Sequence, residues 1–204
     1  MKPIVRIFLI LLFPGFMARG LAQAGLQLSY MDPVGTAAYS LKRGMGAEFM
    51  YSANEIDSRW KFSGYLGFFS YKTTQDTFPL QGMLYGQTTA LLPGYEVISK
   101  YQSMSCGFGA VYKLLNKKLS PIIGMDGYLT FVSMSYHRYV ETLIDETFSN
   151  EMQWQFAIFP KAGVSYQMND NWLLNAGIGR NMGFGSTGSQ AFWKSYISLQ
   201  YYLN

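Results

Sequence analysis

The chain has 204 residues, and only 14% of them are charged, against about 25% in soluble domains. Of its 16 basic residues Lys2, Arg6 and Arg19 fall in the first 24, which contain no acid, so the +4 balance belongs largely to that segment and gives no electrostatic case for nucleic-acid binding. A single cysteine, Cys106, excludes an internal disulfide framework, and no stretch beyond the first 24 residues approaches the roughly 20 apolar residues of a spanning helix.

Taken in order, the chain opens with an export leader. Lys2 and Arg6 form a basic start, Ile7 to Phe13 a short apolar run, and Ala22-Gln23-Ala24 an A-x-A cleavage site, so residues 1–24 are expected to be removed and 25–204 to form one domain. No cysteine follows the apolar run, which argues against a lipid anchor. Eight strands are then expected: Gly25–Asp32, Gly44–Ser52, Ser58–Tyr71, Lys100–Leu114, Ser120–Tyr136, Met152–Met168, Trp172–Arg180 and Phe192–Leu203. The hairpin from Met152 to Asn181 shows the pattern most clearly. Met152, Trp154, Phe156, Ile158, Ala162, Val164 and Tyr166 share one face, Gln153, Gln155, Lys161, Ser165 and Gln167 the other, and Asn169-Asp170-Asn171 makes the turn.

The connections alternate in length. Those at 33–43, 72–99, 137–151 and 181–191 are long, and those at 53–57, 115–119 and 169–171 are short, as in barrels with short periplasmic turns and longer extracellular loops. The outward candidates Met45, Phe49, Trp60, Phe62, Leu66, Phe68, Met104, Phe108, Ile123, Met125, Ile197, Leu199 and Leu203 include no charge. Glu48, Lys61, Asp126, Lys161 and Lys194 fall on the opposite face, with Tyr65, Tyr128, Tyr196 and Gln200. Trp60, Tyr166 and Trp172 near the short turns, and Trp154 and Trp193 toward the long loops, suit two interfacial belts of aromatic side chains. The fold class is therefore all-β, an eight-stranded antiparallel up-and-down transmembrane β-barrel in the outer membrane. A soluble lipocalin-like barrel is disfavoured by its need for a solvated exterior.

In plan the chain resembles the small outer-membrane barrels of OmpX and OmpA-barrel type. GLQLSYMDPVG…LKRGMGAEFMY and FPKAGVSYQMNDNWLLNAGIG resemble the first hairpin and the sixth and seventh strands of Bacteroidota outer-membrane barrel-domain proteins. It ends Tyr201-Tyr202-Leu203-Asn204, where many such barrels end in Phe. The resemblance implies an envelope protein of structural or accessory role, with outer-membrane lipid around it and a secretion or uptake complex as the class of protein partner.

For function, inward charge in so narrow a barrel is expected to pair and plug the lumen. The segment 73–99 is long and apolar, with Phe78, Leu80, Leu84, Tyr85, Leu91, Leu92 and Tyr95 as candidate partner-binding residues; extension of the barrel wall explains the same composition. Ser135 and the lone histidine, His137, are the only candidate catalytic pair. Their order is the reverse of the His-x-Ser order of outer-membrane lipid A deacylases, so an enzyme of that type is the alternative and no enzyme the reading. A small channel is the third. No cofactor is expected, and one His and one Cys about thirty residues apart lack the spacing of a metal site. GFGSTGS at 183–189 reads as an extracellular loop, because no helix follows it to cradle phosphate.

Overall fold

The structure is a computed structural model and describes residues 22–35, 37–52, 58–73, 78–79, 94–140, 143–185 and 188–203. Its elements are β1 (Ala22–Val34), a single helical turn α1 (Ala37–Ser40), β2 (Leu41–Ser52), β3 (Trp60–Thr73), β4 (Phe78–Pro79), β5 (Gly94–Lys113), β6 (Leu119–Val140), β7 (Leu143–Gln167), β8 (Trp172–Gly185) and β9 (Gly188–Leu203). Every neighbouring pair is antiparallel. β1 pairs with both β2 and β9, and β3 with both β2 and β5, so eight strands close into a ring. The two-residue β4 lies outside the wall, attached to β5 through Phe78↔Glu96 and Pro79↔Tyr95.

Local chemistry explains the turns. Asn169 Oδ1 accepts hydrogen bonds from the backbone N–H of Asn171 (2.9 Å) and Trp172 (2.8 Å), the Asx arrangement expected of the Asn169-Asp170-Asn171 cluster. After β1, Gly35 takes φ 64°, a left-handed value that costs glycine nothing, and the chain enters α1.

The alternation read from the sequence holds around the ring. Leu26, Leu28, Met45, Phe49, Phe62, Leu66, Phe108, Met125, Phe156 and Ile197 are exposed on the outer wall, while Gln27, Glu48, Lys61, Asp126, Lys161, Lys194 and Ser198 are buried inside it. A wall with its greasy face outward is built for lipid. At the end carrying the short turns, Trp60 packs on Tyr112 and Trp172 on Tyr201, each with ring centroids 4.9 Å apart, which places one aromatic belt there.

Strand lengths depart from the sequence reading on the opposite side. β6 extends to Val140 and β7 from Leu143, β8 to Gly185 and β9 from Gly188, and β5 begins at Gly94, so much of what reads as extracellular loop is ladder. The physical reason is that strands above the lipid need no apolar outer face, so the period-two signal fades while backbone pairing continues.

Inside, large rings lie over glycines directly across the ladder. Tyr71 faces Gly44, Phe69 faces Gly46, Tyr128 faces Gly107 and Tyr196 faces Gly177. At each of these glycines an added Cβ would meet the facing ring. The aromatic side chains fit an eight-stranded lumen because their partners supply no side chain. Gly46→Ala is expected to cost about 1–3 kcal/mol by overpacking against Phe69. Gly64→Ala should be silent, its nearest neighbours being backbone oxygens at 3.9 and 4.0 Å. Urea midpoints of the heat-modifiable band in micelles check this, and equal midpoints for the two variants would remove the glycine–ring argument.

Candidate functional site

The polar centre of the molecule is a belt of side chains across the middle of the lumen. β2 contributes Glu48, β6 Asp126, β7 Lys161 and β9 Lys194, each at an inward position of its strand. Lys194 Nζ lies 2.6 Å from Glu48 Oε2, and Lys161 Nζ 2.6 Å from Asp126 Oδ2. All four side chains are at least 97% buried, a setting in which an unpaired charge is prohibitive and a pair survives only with its other hydrogen bonds met.

Most of those bonds are present, Glu48 Oε1 alone of the four carboxylate oxygens having no partner among the described residues. Glu48 accepts from Gln27 Nε2 and from Ser29 Oγ at 3.0 Å. Tyr65 OH donates to Asp126 Oδ1 at 3.3 Å and accepts from Lys161 Nζ at 3.2 Å. Tyr128 OH donates to Asp126 Oδ2 at 3.1 Å and accepts from Lys194 Nζ at 3.3 Å, so it joins the two ion pairs into one network. Both ammonium groups also lie over ring faces. Lys194 is 4.8 Å from the Tyr128 centroid and 4.9 Å from Phe159, and Lys161 is 5.2 Å from Tyr65 and 5.4 Å from Tyr196. The belt carries two acids and two bases and is neutral as a unit.

Two cavities flank it, each of ≈ 20 Å³, room for a single water. The upper one is bounded by Tyr71, Tyr101 and Phe192. Ser105 Oγ, Gln155 Oε1 and Asn181 Oδ1 are buried around it without a protein partner among the described residues. Toward the short-turn end, Lys61 Nζ donates to Tyr202 OH at 2.6 Å and to Gln23 Oε1 at 3.3 Å.

The sequence placed the four belt charges on one face, and the structure brings them together; Lys61 is separate, below them. Ser135 sits on β6 opposite Lys100 of β5 and Asn150 of β7, while the backbone of His137 pairs with Val97 and Phe148. Of the partner-binding candidates, Phe78 is a β4 residue and Tyr95 a β5 residue, whereas Leu80, Leu84, Tyr85, Leu91 and Leu92 lie outside the described residues. Among the described residues no group of three or more His, Cys, Asp or Glu side chains is placed to hold a metal. Gln27, Ser29 and Phe159 were not singled out from the sequence as belt partners. Period-two counting puts them on the inner face but does not say which strand's side chain they meet.

Removing one partner of a buried pair leaves a bare charge. Glu48→Gln is therefore expected to destabilise the barrel by about 3–5 kcal/mol, and the double variant Glu48→Gln/Lys194→Met to recover most of that loss. Denaturant unfolding of the three proteins checks this; a double variant no better than the single would mean that Lys194 is not held by Glu48.

No family model matches the sequence, and no curated protein sequence does. In fold the chain is similar to the Neisserial surface protein A, with a TM-score of 0.54 at 15% identity over 90% of this chain and 99% of that one. It is likewise similar to Ail, the attachment invasion locus protein of Yersinia pestis, with a TM-score of 0.52 at 11% identity over 91% and 99% of the two chains. The closed ring, its apolar outer wall and its polar interior, with that likeness of fold, make this chain an eight-stranded β-barrel of the Gram-negative outer membrane.

Proposed function

We propose that this barrel is a structural or accessory outer-membrane protein that acts by binding, its lumen plugged by its own side chains and its contacts made above the outer leaflet. The observation that carries the reading is the uneven height of the wall. β5, β6 and β7 have 20, 22 and 25 residues, whereas β1, β2, β3 and β8 have 12 to 14. A tilted crossing takes about 9–11 residues, so three adjacent strands have the length to continue as a sheet beyond the lipid. Among the described residues, β7 from Leu143 to Trp154 pairs with β6 alone, and β4 adds to the β5 side. The segment 73–99, apolar in sequence, joins β3 to this sheet, and an apolar connection of that length suits a protein partner. That partner is another envelope protein, of the secretion or uptake class. Ser135 and His137 carry no chemistry in this reading, and the belt of ion pairs lies across any solute path.

Replacing residues 80–93 with a short Gly/Ser linker tests the reading, since loop length changes closure entropy by only about 0.6 kcal/mol per doubling. The variant should remain a heat-modifiable barrel and lose the envelope protein that cross-links in fixed ratio to the intact one. Retention of every cross-link would overturn binding through this segment. In planar bilayers the intact protein should show no steady discrete conductance, and current steps would overturn the plugged lumen. Ser135→Ala and His137→Ala should leave the lipid A mass spectrum of expressing cells unchanged.

A further inference from the structure

Charge on the outer wall follows a different rule from charge in the lumen. Arg180 is exposed on the outward face of β8, in the middle of that strand. Among the described residues it has neither an ion pair nor a hydrogen-bonding side chain. It stands eight residues along β8 from Trp172 of the lower aromatic belt. At about 3.3 Å per residue and a tilt near 40° that is about 20 Å higher, close to the upper edge of an apolar band about 25 Å tall. Its cross-strand neighbour is Trp193, whose neighbour on β1 is Asp32, and Asp32 Oδ1 lies 3.6 Å from Arg43 Nε of β2. On the other side the β7–β8 ladder is interrupted between Ile158↔Met182 and Lys161↔Gly179, where Pro160 has no N–H to give. Arg180 thus stands between an exposed proline and an exposed interfacial tryptophan, while Asp32 is already engaged by Arg43.

Among the described residues nothing engages that guanidinium, and its planar fork of donors matches a phosphate. The outer leaflet of a Gram-negative outer membrane presents phosphate monoesters on glycolipid at that height. We propose that Arg180, with Trp193 beside it and Arg43 at the far end of the same rank, binds a phosphate group of the outer-leaflet glycolipid. The acyl chains then lie along the apolar wall below.

The test is native mass spectrometry of the purified barrel in detergent. It is offered monophosphoryl lipid A, the same lipid enzymatically dephosphorylated, or inorganic phosphate. The intact protein should retain the phosphorylated lipid, and Arg180→Gln should weaken retention by about tenfold, the scale of one charge-assisted hydrogen-bonding pair. Arg43→Gln should weaken it less. Arg180→Gln takes a charge off the lipid face, so its heat-modifiable band should be unchanged. Equal retention of the dephosphorylated lipid by the intact protein, or of the phosphorylated lipid by Arg180→Gln, would overturn the proposal. So would displacement by millimolar inorganic phosphate, which would make the site one for a free anion.

A separate observation bears on the start of the mature chain. β1 begins at Ala22, with Ala22, Gln23 and Ala24 opposite Leu203, Tyr202 and Tyr201 of β9, and Gln23 is 1% exposed beside Lys61. Cleavage after Ala24 would remove those rungs from the closing ladder. Gly20-Leu21-Ala22 meets the same small-residue requirement two residues earlier. We infer that the exported protein begins at Gln23. Its intact mass, measured after purification from the outer membrane, should include Gln23, and a first residue at Gly25 would overturn the inference.

Discussion

The constraint beneath everything else is that hydrocarbon offers no hydrogen bonds. A strand edge left open in lipid would strand a row of N–H and C=O groups at several kcal/mol each, so the sheet must close. Here closure rests on the β1–β9 ladder, which joins the two ends of the chain, and on the β3–β5 ladder, which steps over β4. Where the wall pairing lapses at Pro160, the interruption is confined to the β8 side while Met125↔Pro160 is kept on the β6 side.

Closure with eight strands dictates the interior. The ring is too narrow to hold bulk water and too wide to be left empty, so side chains must fill it at protein density. Aromatic rings do most of this, four of them finding their space over a glycine on the next strand, and the remaining polar groups are forced into contact. A lone charge in that space is untenable, which is why Glu48 and Asp126 each occur with a lysine in reach and with tyrosine, glutamine or serine donating to the carboxylate. The same network fixes register, because a slip of one residue on β2 or β7 would carry Glu48 or Lys161 into lipid.

How far the sequence reveals this follows from which physical rule acts at each position. Facing lipid, the rule is binary, and Leu66, Phe108 or Leu199 declare their side by alternation alone. The turn at Asn169-Asp170-Asn171 is equally legible, since its side chains make the bonds themselves. The belt was half legible: the inward faces of Glu48, Asp126, Lys161 and Lys194 follow from counting, but the choice of partner depends on barrel stagger, which pairs Lys194 with a residue two strands away. The extracellular ends of β5 to β9 were read short because lipid no longer selects their outer face. Arg180 was missed for the opposite reason. It breaks the apolar rule at the level where the rule changes.

Function in such a molecule belongs to the parts that the membrane does not dictate. Between the aromatic belts the wall answers to lipid and the lumen to packing, and neither leaves much freedom for a partner or substrate. Above the belts the two faces of each strand are released from those demands, and the chain uses the freedom unevenly. β8 and β9 are the shorter, with 14 and 16 residues, whereas β5, β6 and β7 continue together. A strand pair extended beyond its crossing still has to satisfy its backbone, and adding a third strand does so for the middle one, β6, which is paired on both sides nearly to its tip. The unmet backbone groups are then moved to the outer edges of the sheet, in water where they cost little. A sheet built on three strands of a rigid barrel is thus a stable platform whose outer edges meet water.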